Sequence, residues 1–358
     1  MPQSAHRDKQ SFDLNHKQVL VVRLSALGDV TRTVPAVLAL TKAFPQAQFT
    51  WLVENTSAPL LRGIPDFEIL EIDRAELRKG GPLRRFLALR KLVAQVKARK
   101  FDCSIDFHGV FKSALIPYWA GIPLRMGFEK GFSKEGSRFL INRRCNEPYR
   151  SISRYQRNIL LSRWLAPNAD VEAVSFPVSV AGKEHVRHLM REQPILFFPG
   201  TSAHGRNKRW PAAYWAALYR RVSTHHKVSF VFGPADQAYQ DALSAEIDGL
   251  PHLPPLKLPE LTYALRQARM LVACDSGPMH MASVQGVPLV ALMGPSDSVL
   301  NQPWDFGKSR MVLPGVPCAP CRHRKCEVLI CQSMITPARA AEAVFDVLAA
   351  LQREGEGS

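Results

Sequence analysis

The chain has 358 residues, of which 46% are hydrophobic, and it carries a formal net charge of +16. This length exceeds what one hydrophobic core usually supports, so we expect two globular domains. The sequence contains no apolar run long enough to span a bilayer, and residues 1–17 lack the apolar core of a signal peptide. Neither a membrane-spanning helix nor Sec export is indicated, and we expect a cytoplasmic protein.

The first half alternates short apolar runs with longer amphipathic segments. The pattern predicts strands at residues 18–24, 49–54 and 101–107, and helices at 31–44 and 83–100. Strands that alternate with helices of this length form βαβ units around a parallel sheet.

Residues 165–192 interrupt this alternation with Pro, Asn and Gly, and the pattern then starts again. Four strands are predicted in the second half, at 193–200, 227–234, 270–277 and 287–295, and the last of these is expected to be the final strand. Helices are predicted at 211–223, 261–268 and 278–286. The sequence therefore predicts an α/β fold of two doubly wound, Rossmann-like domains, with ligands bound where the carboxyl ends of their strands face each other across a cleft.

The C-terminal segment begins with Thr336 as a helix N-cap and Pro337 at the first helical position. We expect domains at 1–175 and 176–335, and a helix at 336–358 that packs back toward the first domain.

The loop at 23–29 leaves the first strand and enters a helix, so Asp29 is expected near a helix N-terminus at the mouth of the cleft. A carboxylate there can cap backbone amides. It also stays ionised beside the helix dipole, which suits a general base that accepts a proton from a hydroxyl attacking a sugar carbon. Both roles are open from the residues alone.

The loop at 198–211 joins a strand to a helix and gathers small residues, hydroxyls and cations. Its backbone amides, with Thr201, Ser202 and Lys208, could bind a diphosphate. The order of residues is not that of a Walker loop. The alternative is a basic surface loop without a ligand.

The segment 274–282 again passes from a strand to a helix. Asp275 ends the strand, and the amides of Ser276 and Gly277 with the imidazole of His280 are expected to face the same cleft. A phosphate bound there would meet free N–H groups and the positive end of the helix dipole. His280 could instead be a buried core histidine.

A dense basic stretch precedes the third predicted strand, with its cations interleaved with Leu and Ala at helical spacing. It contains Arg74, Arg78, Lys79, Arg84, Arg85, Arg90, Lys91, Lys97, Arg99 and Lys100. Such a stretch is either a solvated amphipathic face or a landing site for an anionic acceptor.

Three motifs occur in order along the chain: R-x-S-x-x-G-D-V at 23–30, K-x-W-P at 208–211 and D-S-G-P-x-H at 275–280. The stretches I-D-F-H-G-V-F-K-S-A at 105–114 and G-V-P-L-V-A-L-M-G-P-S-D at 286–297, with C-x-P-C at 318–321, complete the pattern. Together they resemble glycosyltransferase family 9, the lipopolysaccharide heptosyltransferases. The similarity covers nearly the whole chain.

This resemblance implies a GT-B fold and an inverting transferase. The donor would be ADP-L-glycero-D-manno-heptose, bound by the second domain, and the acceptor a Kdo-bearing lipid A type molecule at the inner face of the cytoplasmic membrane, bound by the first domain. Asp29 would be the catalytic base and Lys208 the partner of the donor diphosphate. The remaining donor contacts implied are Thr201, Ser202, Asp275, Ser276, Gly277 and His280. The acceptor contacts implied are Arg78, Lys79, Arg84, Arg85 and Lys112.

One position departs from the family pattern. Some members place a Glu after the strand at 227–234 to hold the donor nucleoside, whereas this chain has Asp236 and Gln237 there. The nucleoside contact is therefore expected from one of these two residues.

Four cysteines crowd into fourteen residues: Cys318, Cys321, Cys326 and Cys331. Four thiolates in one loop can bind zinc, but the usual paired CxxC spacing is incomplete, so reduced or disulfide-paired cysteines are the alternative. The resemblance implies a reaction without metal or other cofactor.

Two other functions compete with this interpretation. A GT-B enzyme could act on another nucleotide sugar, by transfer or by 2-epimerisation. The high pI near 9.8 would also suit a nucleic-acid-binding protein. However, no helix-turn-helix, RRM or zinc-finger pattern supports that, and we expect no nucleic-acid partner.

Overall fold

The computed structural model describes residues 12–77, 80–146, 151–304, 308–321, 323 and 326–356. In the first half, β-branched and apolar runs form buried strands, and segments with one apolar stripe form the helices between them. In chain order these elements are β1 (Gln18–Val22), α1 (Leu27–Thr31), α2 (Val34–Ala43), β2 (Gln48–Glu54), α3 (Ala58–Leu61), β3 (Glu68–Ile72), α4 (Pro82–Ala98), β4 (Cys103–Asp106), α5 (Phe111–Trp119), β5 (Leu124–Phe128), β6 (Arg143–Cys145) and α6 (Arg154–Leu165). A short 3-10 helix, Ser137–Phe139, lies between β5 and β6.

The first sheet has six parallel strands in the order β3-β2-β1-β4-β5-β6. This is the strand order of a doubly wound nucleotide-binding fold, in which the order reverses between the first and fourth strands. The loops that leave β1 and β4 therefore flank the crevice where ligands bind in such sheets. The helix expected at 31–44 is present as α2, and the short helix α1 precedes it in the loop that leaves β1.

The second half repeats the alternation with its own sheet. Its elements are α7 (Val180–Leu189), β7 (Ile195–Phe198), α8 (Ala212–Val222), β8 (Val228–Phe230), α9 (Gln237–Ser244), α10 (Leu258–Gln267), β9 (Met270–Cys274), α11 (Gly277–Val284), β10 (Leu289–Leu292), β11 (Ser309–Val312), α12 (Ile330–Ser333) and α13 (Pro337–Glu356). The 3-10 helix Ala203–Lys208 follows β7.

The second sheet is also fully parallel, in the order β11-β10-β9-β7-β8. Its order reverses between β7 and β9, so the loops after these two strands flank its crevice. The expectation that the strand at 287–295 is the final strand is wrong, because β11 follows it and pairs with β10 at the edge of the sheet. The two parallel sheets confirm the α/β class expected from the sequence.

The C-terminal helix packs on the second sheet, which corrects the expectation that it returns to the first domain. Helix α13 contacts α8, β10 and β11. Its apolar face, with Ala340, Val344 and Leu348, is buried in the core that also contains Trp215 and Val290. An amphipathic pattern fixes which face of a helix is buried, but not which neighbour covers it.

The two halves meet directly, because α1 of the first half packs against α11 of the second. The contact is close at Gly28, where a Cβ would lie 2.9 Å from Cδ2 of His280. Leu27 lies beside Gly277 at the start of α11. The loops after β1 and β9 are therefore held face to face.

Candidate active site

Asp29 lies in the first turn of α1, where it is held by two arginines. Nη2 of Arg23 lies 2.8 Å from Oδ2 of Asp29, and Arg32 forms an ion pair with the other carboxylate oxygen. Both guanidinium groups are buried, whereas the Asp29 side chain keeps 26% of its surface exposed. The carboxylate is thus reachable from the crevice and fixed in orientation.

The electrostatic surroundings keep Asp29 ionised. Burial raises the pKa of the Asp29 carboxyl, but the positive charges of Arg23, Arg32, Arg154 and Arg157 outweigh it and hold this pKa well below its usual range. The N-cap residue of α1 is Ala26, whose methyl group cannot bond the helix amides, and the carboxylate of Asp29 is paired with Arg23 and Arg32. The geometry therefore gives no support to a capping role.

Lys208 and Asp275 come together across the second sheet. Lys208 ends the 3-10 helix after β7, and its Nζ lies 2.7 Å from Oδ2 of Asp275 at the end of β9. The hydroxyl of Ser296 donates to the same oxygen at 2.6 Å. Asp275 is buried, whereas a third of the Lys208 side chain remains exposed, so the ammonium lies at the rim of the crevice.

His280 links Asp275 to the first half of the chain. Its Nε2 lies 3.4 Å from Oδ1 of Asp275, and its Nδ1 lies 3.0 Å from the hydroxyl of Tyr155 on α6. Burial, with the charge of Arg32, lowers the pKa of His280 to about 4, so the imidazole is neutral at pH 7. Nε2 then donates to the carboxylate while Nδ1 accepts from the tyrosine, an assignment made from the hydrogen-bond network. His280 is thus both a buried histidine and a member of the site.

The remaining residues expected around the donor are spread around these groups. Ser276 precedes α11, and its buried hydroxyl has no partner among the described residues. Gly277 is the first residue of α11. Thr201 donates to the carbonyl of Gly205 at 2.9 Å, which commits its hydroxyl to its own loop, and Ser202 is exposed.

The two candidates for the nucleoside contact, Asp236 and Gln237, differ in their exposure to solvent. Asp236 is buried, pairs with Arg209 at 2.6 Å and accepts from the amide of Gly233 at 3.0 Å. Gln237 is exposed at the start of α9, and its amide donates to Asp241 at 2.9 Å. Asp236 is therefore occupied with the loop after β8, and Gln237 is the accessible one of the pair.

On the acceptor side, Lys112 lies on α5 with its Nζ 3.6 Å from Oε1 of the buried Glu54. The neighbouring His108 follows β4, and burial together with Arg23 lowers the pKa of His108 to about 3, with a smaller opposing effect from Asp29. His108 is a neutral imidazole at pH 7.

Arg84 and Arg85 are exposed on α4, a helix that contacts α5 and buries Leu92 and Val96. Nothing in the described contacts brings the two arginines to Asp29. The other two expected acceptor contacts, Arg78 and Lys79, lie outside the described residues.

All four clustered cysteines have free thiols: Cys318, Cys321, Cys326 and Cys331. Among the described residues, no group of three or more His, Cys, Asp or Glu side chains is arranged to hold a metal ion. Three residues of this loop, 322, 324 and 325, lie outside that description.

Comparison with known proteins settles which family this site belongs to. The model of glycosyltransferase family 9 (heptosyltransferase) matches residues 89–330, about two thirds of the chain. The chain belongs to glycosyltransferase family 9. This family 9 protein is 28% identical over 327 residues to lipopolysaccharide heptosyltransferase 1 of Pseudomonas aeruginosa, covering 86% of this chain and 87% of that protein.

Solved structures show the same fold. A family 9 glycosyltransferase from Veillonella parvula superposes with a TM-score of 0.78 at 20% identity, covering 95% of this chain and all of that one. The ADP-heptose LPS heptosyltransferase II of E. coli gives 0.73 at 23% identity, with 94% and 99% covered. These likenesses confirm the GT-B fold expected from the motifs. The family 9 protein is therefore a glycosyltransferase with two Rossmann-like units.

The sequence did not reveal several residues that surround Asp29 in this family 9 site. They are Arg32, Arg154, Tyr155, Arg157 and Asn301. Arg154 and Arg157 stand three apart on α6, which is the spacing of one helix face, but helical arginines with polar neighbours usually indicate a solvated surface. Among the described residues none of the helices combines the length and apolarity needed to cross a bilayer.

Proposed function

We propose that this glycosyltransferase moves L-glycero-D-manno-heptose from ADP-heptose to the Kdo/heptose inner core of lipopolysaccharide, with inversion at the anomeric carbon. The names of the similar P. aeruginosa and E. coli proteins support the donor and the acceptor class. The family supports glycosyl transfer itself.

The observation that carries the proposal is the contact between α1 and α11 at the facing crevices of the two sheets. It brings Gly28, the residue before Asp29, against His280, which together with Lys208 contacts Asp275. A base and a diphosphate site on opposite sides of one gap suit a direct displacement. The acceptor oxygen enters on one face of the sugar, and the diphosphate leaves from the other.

In this reaction the acceptor oxygen forms a bond to the anomeric carbon as the bond from that carbon to the diphosphate breaks, and ADP takes the electron pair. Asp29 takes the hydroxyl proton. Lys208 and the amides at the start of α11 bind the diphosphate, whose charge grows as the bond breaks. Ser276 supplies a buried hydroxyl without a partner in the described chain, and Gln237 supplies the accessible contact for the nucleoside.

The direct test is to incubate purified protein with ADP-heptose and a panel of Kdo-containing acceptors, and to weigh the products. ADP release should require the acceptor, and NMR of the new linkage should show an inverted anomeric centre. Turnover of the nucleotide sugar without acceptor would favour 2-epimerisation. A retained configuration would contradict direct displacement.

We further propose that the protein binds the inner face of the cytoplasmic membrane through a surface of the first half, here called the aromatic patch. Its exposed side chains are Leu83, Phe86 and Leu87 on α4, Phe111, Tyr118 and Trp119 on α5, and Phe139 of the 3-10 helix. Leu83, Phe86 and Leu87 share one helix face, and the rings of Phe86 and Trp119 meet edge to face at 6.4 Å.

Cations accompany these rings. The guanidinium groups of Arg90 and Arg138 lie 6.0 Å and 4.6 Å from the ring centres of Phe86 and Phe139. Arg84 and Arg85 are exposed on the same helix as Phe86. Apolar side chains interleaved with cations match the acyl boundary and headgroups of an anionic membrane. The acceptor is carried by such a membrane, so Arg84 and Arg85 would bind it or the lipids around it.

A further inference from the structure

Four guanidinium groups gather around Asp29, and together they form what we call the arginine cluster. Its members are Arg23, Arg32, Arg154 and Arg157. Asp29 pairs directly with the first two. The charges of Arg154 and Arg157 are not balanced by a direct ion pair with Asp29.

The cluster members share neutral acceptors with each other. Nη1 of Arg23 and Nη2 of Arg157 donate to the same backbone oxygen, that of Phe107, at 2.9 Å and 3.4 Å. A carbonyl oxygen carries no net charge, so it brings two guanidinium groups together without offsetting their repulsion.

The second pair of the cluster repeats this arrangement. Nη1 of Arg32 donates to Oδ1 of Asn301 at 3.1 Å, and Arg154 donates to the same amide oxygen. The backbone amide of Arg154 also donates to the carbonyl of Leu300. Two arginines therefore meet on a neutral side chain contributed by the second half of the chain.

The nearby carboxylates do not complete the charge balance. Asp275 is taken up by Lys208, and Asp106 accepts from the amides of His108 and Gly109 and from the Ser113 hydroxyl. Burial also raises the pKa of Asp106 to about 6. Among the described residues Asp29 is thus the one carboxylate paired with the cluster, and it bonds only Arg23 and Arg32.

Three members of the cluster also have an N–H group without an acceptor in the part of the chain that the structure describes. Nε of Arg23, Arg32 and Arg157 is buried without a hydrogen-bond partner in the described residues. Buried guanidinium N–H groups almost always have acceptors, because an unpaired one costs the full loss of its hydration. Burial and the charge of Arg23 lower the pKa of Arg157, and the charge of Asp29 offsets this only in part.

We propose that the arginine cluster binds an anionic group of the sugar acceptor, a carboxylate or a phosphate next to the hydroxyl that is attacked. This deepens the proposed function and rests on it. All four arginines belong to the first half of the chain, the half expected to bind the acceptor, and the guanidinium of Arg157 lies 4.9 Å from the ring centre of Phe128 at the end of β5. Arginine matches the planar geometry of either anion.

The bound anion also makes Asp29 a better base. While both of its oxygens are paired with arginines, the carboxylate holds its proton weakly. An acceptor anion that takes part of the guanidinium hydrogen bonding frees one carboxylate oxygen for the hydroxyl proton, at the moment when the acceptor is in place. Asp29 thus gains basicity only in the complex.

The test uses variants that do not touch Asp29. Arg157→Gln and Arg154→Gln each remove one charge, and Arg163→Gln removes the same charge from the exposed surface of the same helix as a matched control. Calorimetry without donor measures two acceptor pairs: a Kdo glycoside and its methyl ester, and a phosphorylated heptoside and its dephosphorylated form. The Kd of ADP is measured for every variant.

We expect Arg157→Gln and Arg154→Gln to weaken binding of one acid tenfold or more, to leave its neutral counterpart within twofold, and to leave ADP binding within twofold. The pair that responds identifies the anion as carboxylate or phosphate. Equal losses for acid and neutral acceptor, or losses no larger than those of Arg163→Gln, would overturn the inference. A loss confined to ADP would assign the cluster to the donor diphosphate and overturn it as well.

Two further measurements keep the outcome interpretable. Arg157→Lys preserves the positive charge and the aliphatic stem, so it should fold even if Arg157→Gln does not. Its affinity for the acidic acceptor should lie between those of wild type and Arg157→Gln. Wild-type protein that binds the acid but forms no product from ADP-heptose would contradict the proposed reaction, while its acceptor site would stand.

Discussion

Lys208 Nζ and Asp275 Oδ2 lie 2.7 Å apart, which joins the loop after β7 to the end of β9. The buried carboxylate fixes the position of an ammonium that is only partly shielded. Burial raises the pKa of Asp275, but the hydrogen bond from His280 and the charge of Lys208 hold it far below its usual range. Before a donor binds, Lys208 is therefore oriented and partly neutralised.

Lys208→Met should weaken donor binding, because the ammonium offsets the diphosphate charge and the apolar side chain keeps most of the volume. A charge-assisted contact contributes about 1.5–3 kcal/mol, which corresponds to a roughly tenfold to hundredfold higher Kd for ADP. Calorimetry with ADP measures this. Lys227→Met, an exposed lysine of the same half, is the control. Equal ADP affinity in the two variants would remove Lys208 from the donor site.

Asp29→Asn should lower kcat by about a hundredfold to ten-thousandfold, the range for loss of a general base. The amide nearly preserves the shape but cannot take the proton. It also leaves Arg23 and Arg32 without a counter-ion, so we expect a lower melting temperature as well. Kinetics are therefore measured well below the melting transition of the variant, with Asp248→Asn on the exposed surface as control. Normal turnover by Asp29→Asn would contradict its role as base.

The positions of Asp29 and Asp275 could be predicted because the segment that leaves a buried parallel strand lies at the ligand-binding edge of the sheet. Both sheets obey that rule, and both residues follow a strand next to the point where the strand order reverses. The position of Lys208 could be predicted for the same reason, because its loop follows the buried strand β7. Local sequence was sufficient to place residues at the ends of buried strands.

Other features depend on which surfaces meet, and local sequence does not contain that information. The sequence S-R-M-V of β11 is too polar and too short to indicate a strand. This strand forms by pairing with the edge of β10. The pattern of α13 gives its buried face but not the sheet beneath it. The local sequence around Arg154 is that of an ordinary helical arginine. Its place in the site depends on its hydrogen bond to Asn301, which lies 147 residues later in the chain.

The aromatic patch should bind vesicles that contain anionic phosphatidylglycerol and not vesicles of phosphatidylcholine alone. Phe86→Ser and the pair Arg84→Gln with Arg85→Gln should each reduce co-sedimentation at least several-fold, through loss of apolar insertion and of headgroup attraction respectively. Val180→Ser, which removes an exposed apolar side chain from the second half, should bind like wild type. Transfer to a short water-soluble acceptor should persist in Phe86→Ser. Vesicle binding that survives all these changes would rule out this surface.

His280 should make the protein less stable in acid. Its pKa is about 4 in the folded protein and about 6.5 in the unfolded chain, so the unfolded state takes up the proton first as the pH falls. Its contribution is fully present above pH 6.5 and is lost as the pH falls toward 4. Between pH 7.5 and 5 this amounts to about 2 kcal/mol of unfolding free energy.

Urea unfolding of wild type and His280→Gln at both pH values isolates this effect, because Gln can still bond Asp275 and Tyr155 but does not titrate. The raised pKa of Asp106 acts in the opposite direction and is common to both proteins. We expect the variant to lose less stability than wild type on acidification. An identical pH dependence would show that His280 is not a buried neutral imidazole.

Gly28→Ala tests whether the contact between α1 and α11 is needed for activity. The new methyl would lie 2.9 Å from the ring of His280, which Tyr155 and Asp275 hold in place, so the ring cannot turn away without breaking those contacts. Overpacking of this kind costs about 1–3 kcal/mol. The protein either becomes less stable by this amount or relieves the overlap by moving its two halves apart. We therefore expect a lower melting temperature and at least a tenfold loss in kcat/KM. Gly81→Ala, where a methyl meets nothing within 4 Å and the backbone has an ordinary φ of −71°, should leave both unchanged. If Gly28→Ala keeps wild-type turnover and stability, the close contact of these two helices is not a requirement of the reaction.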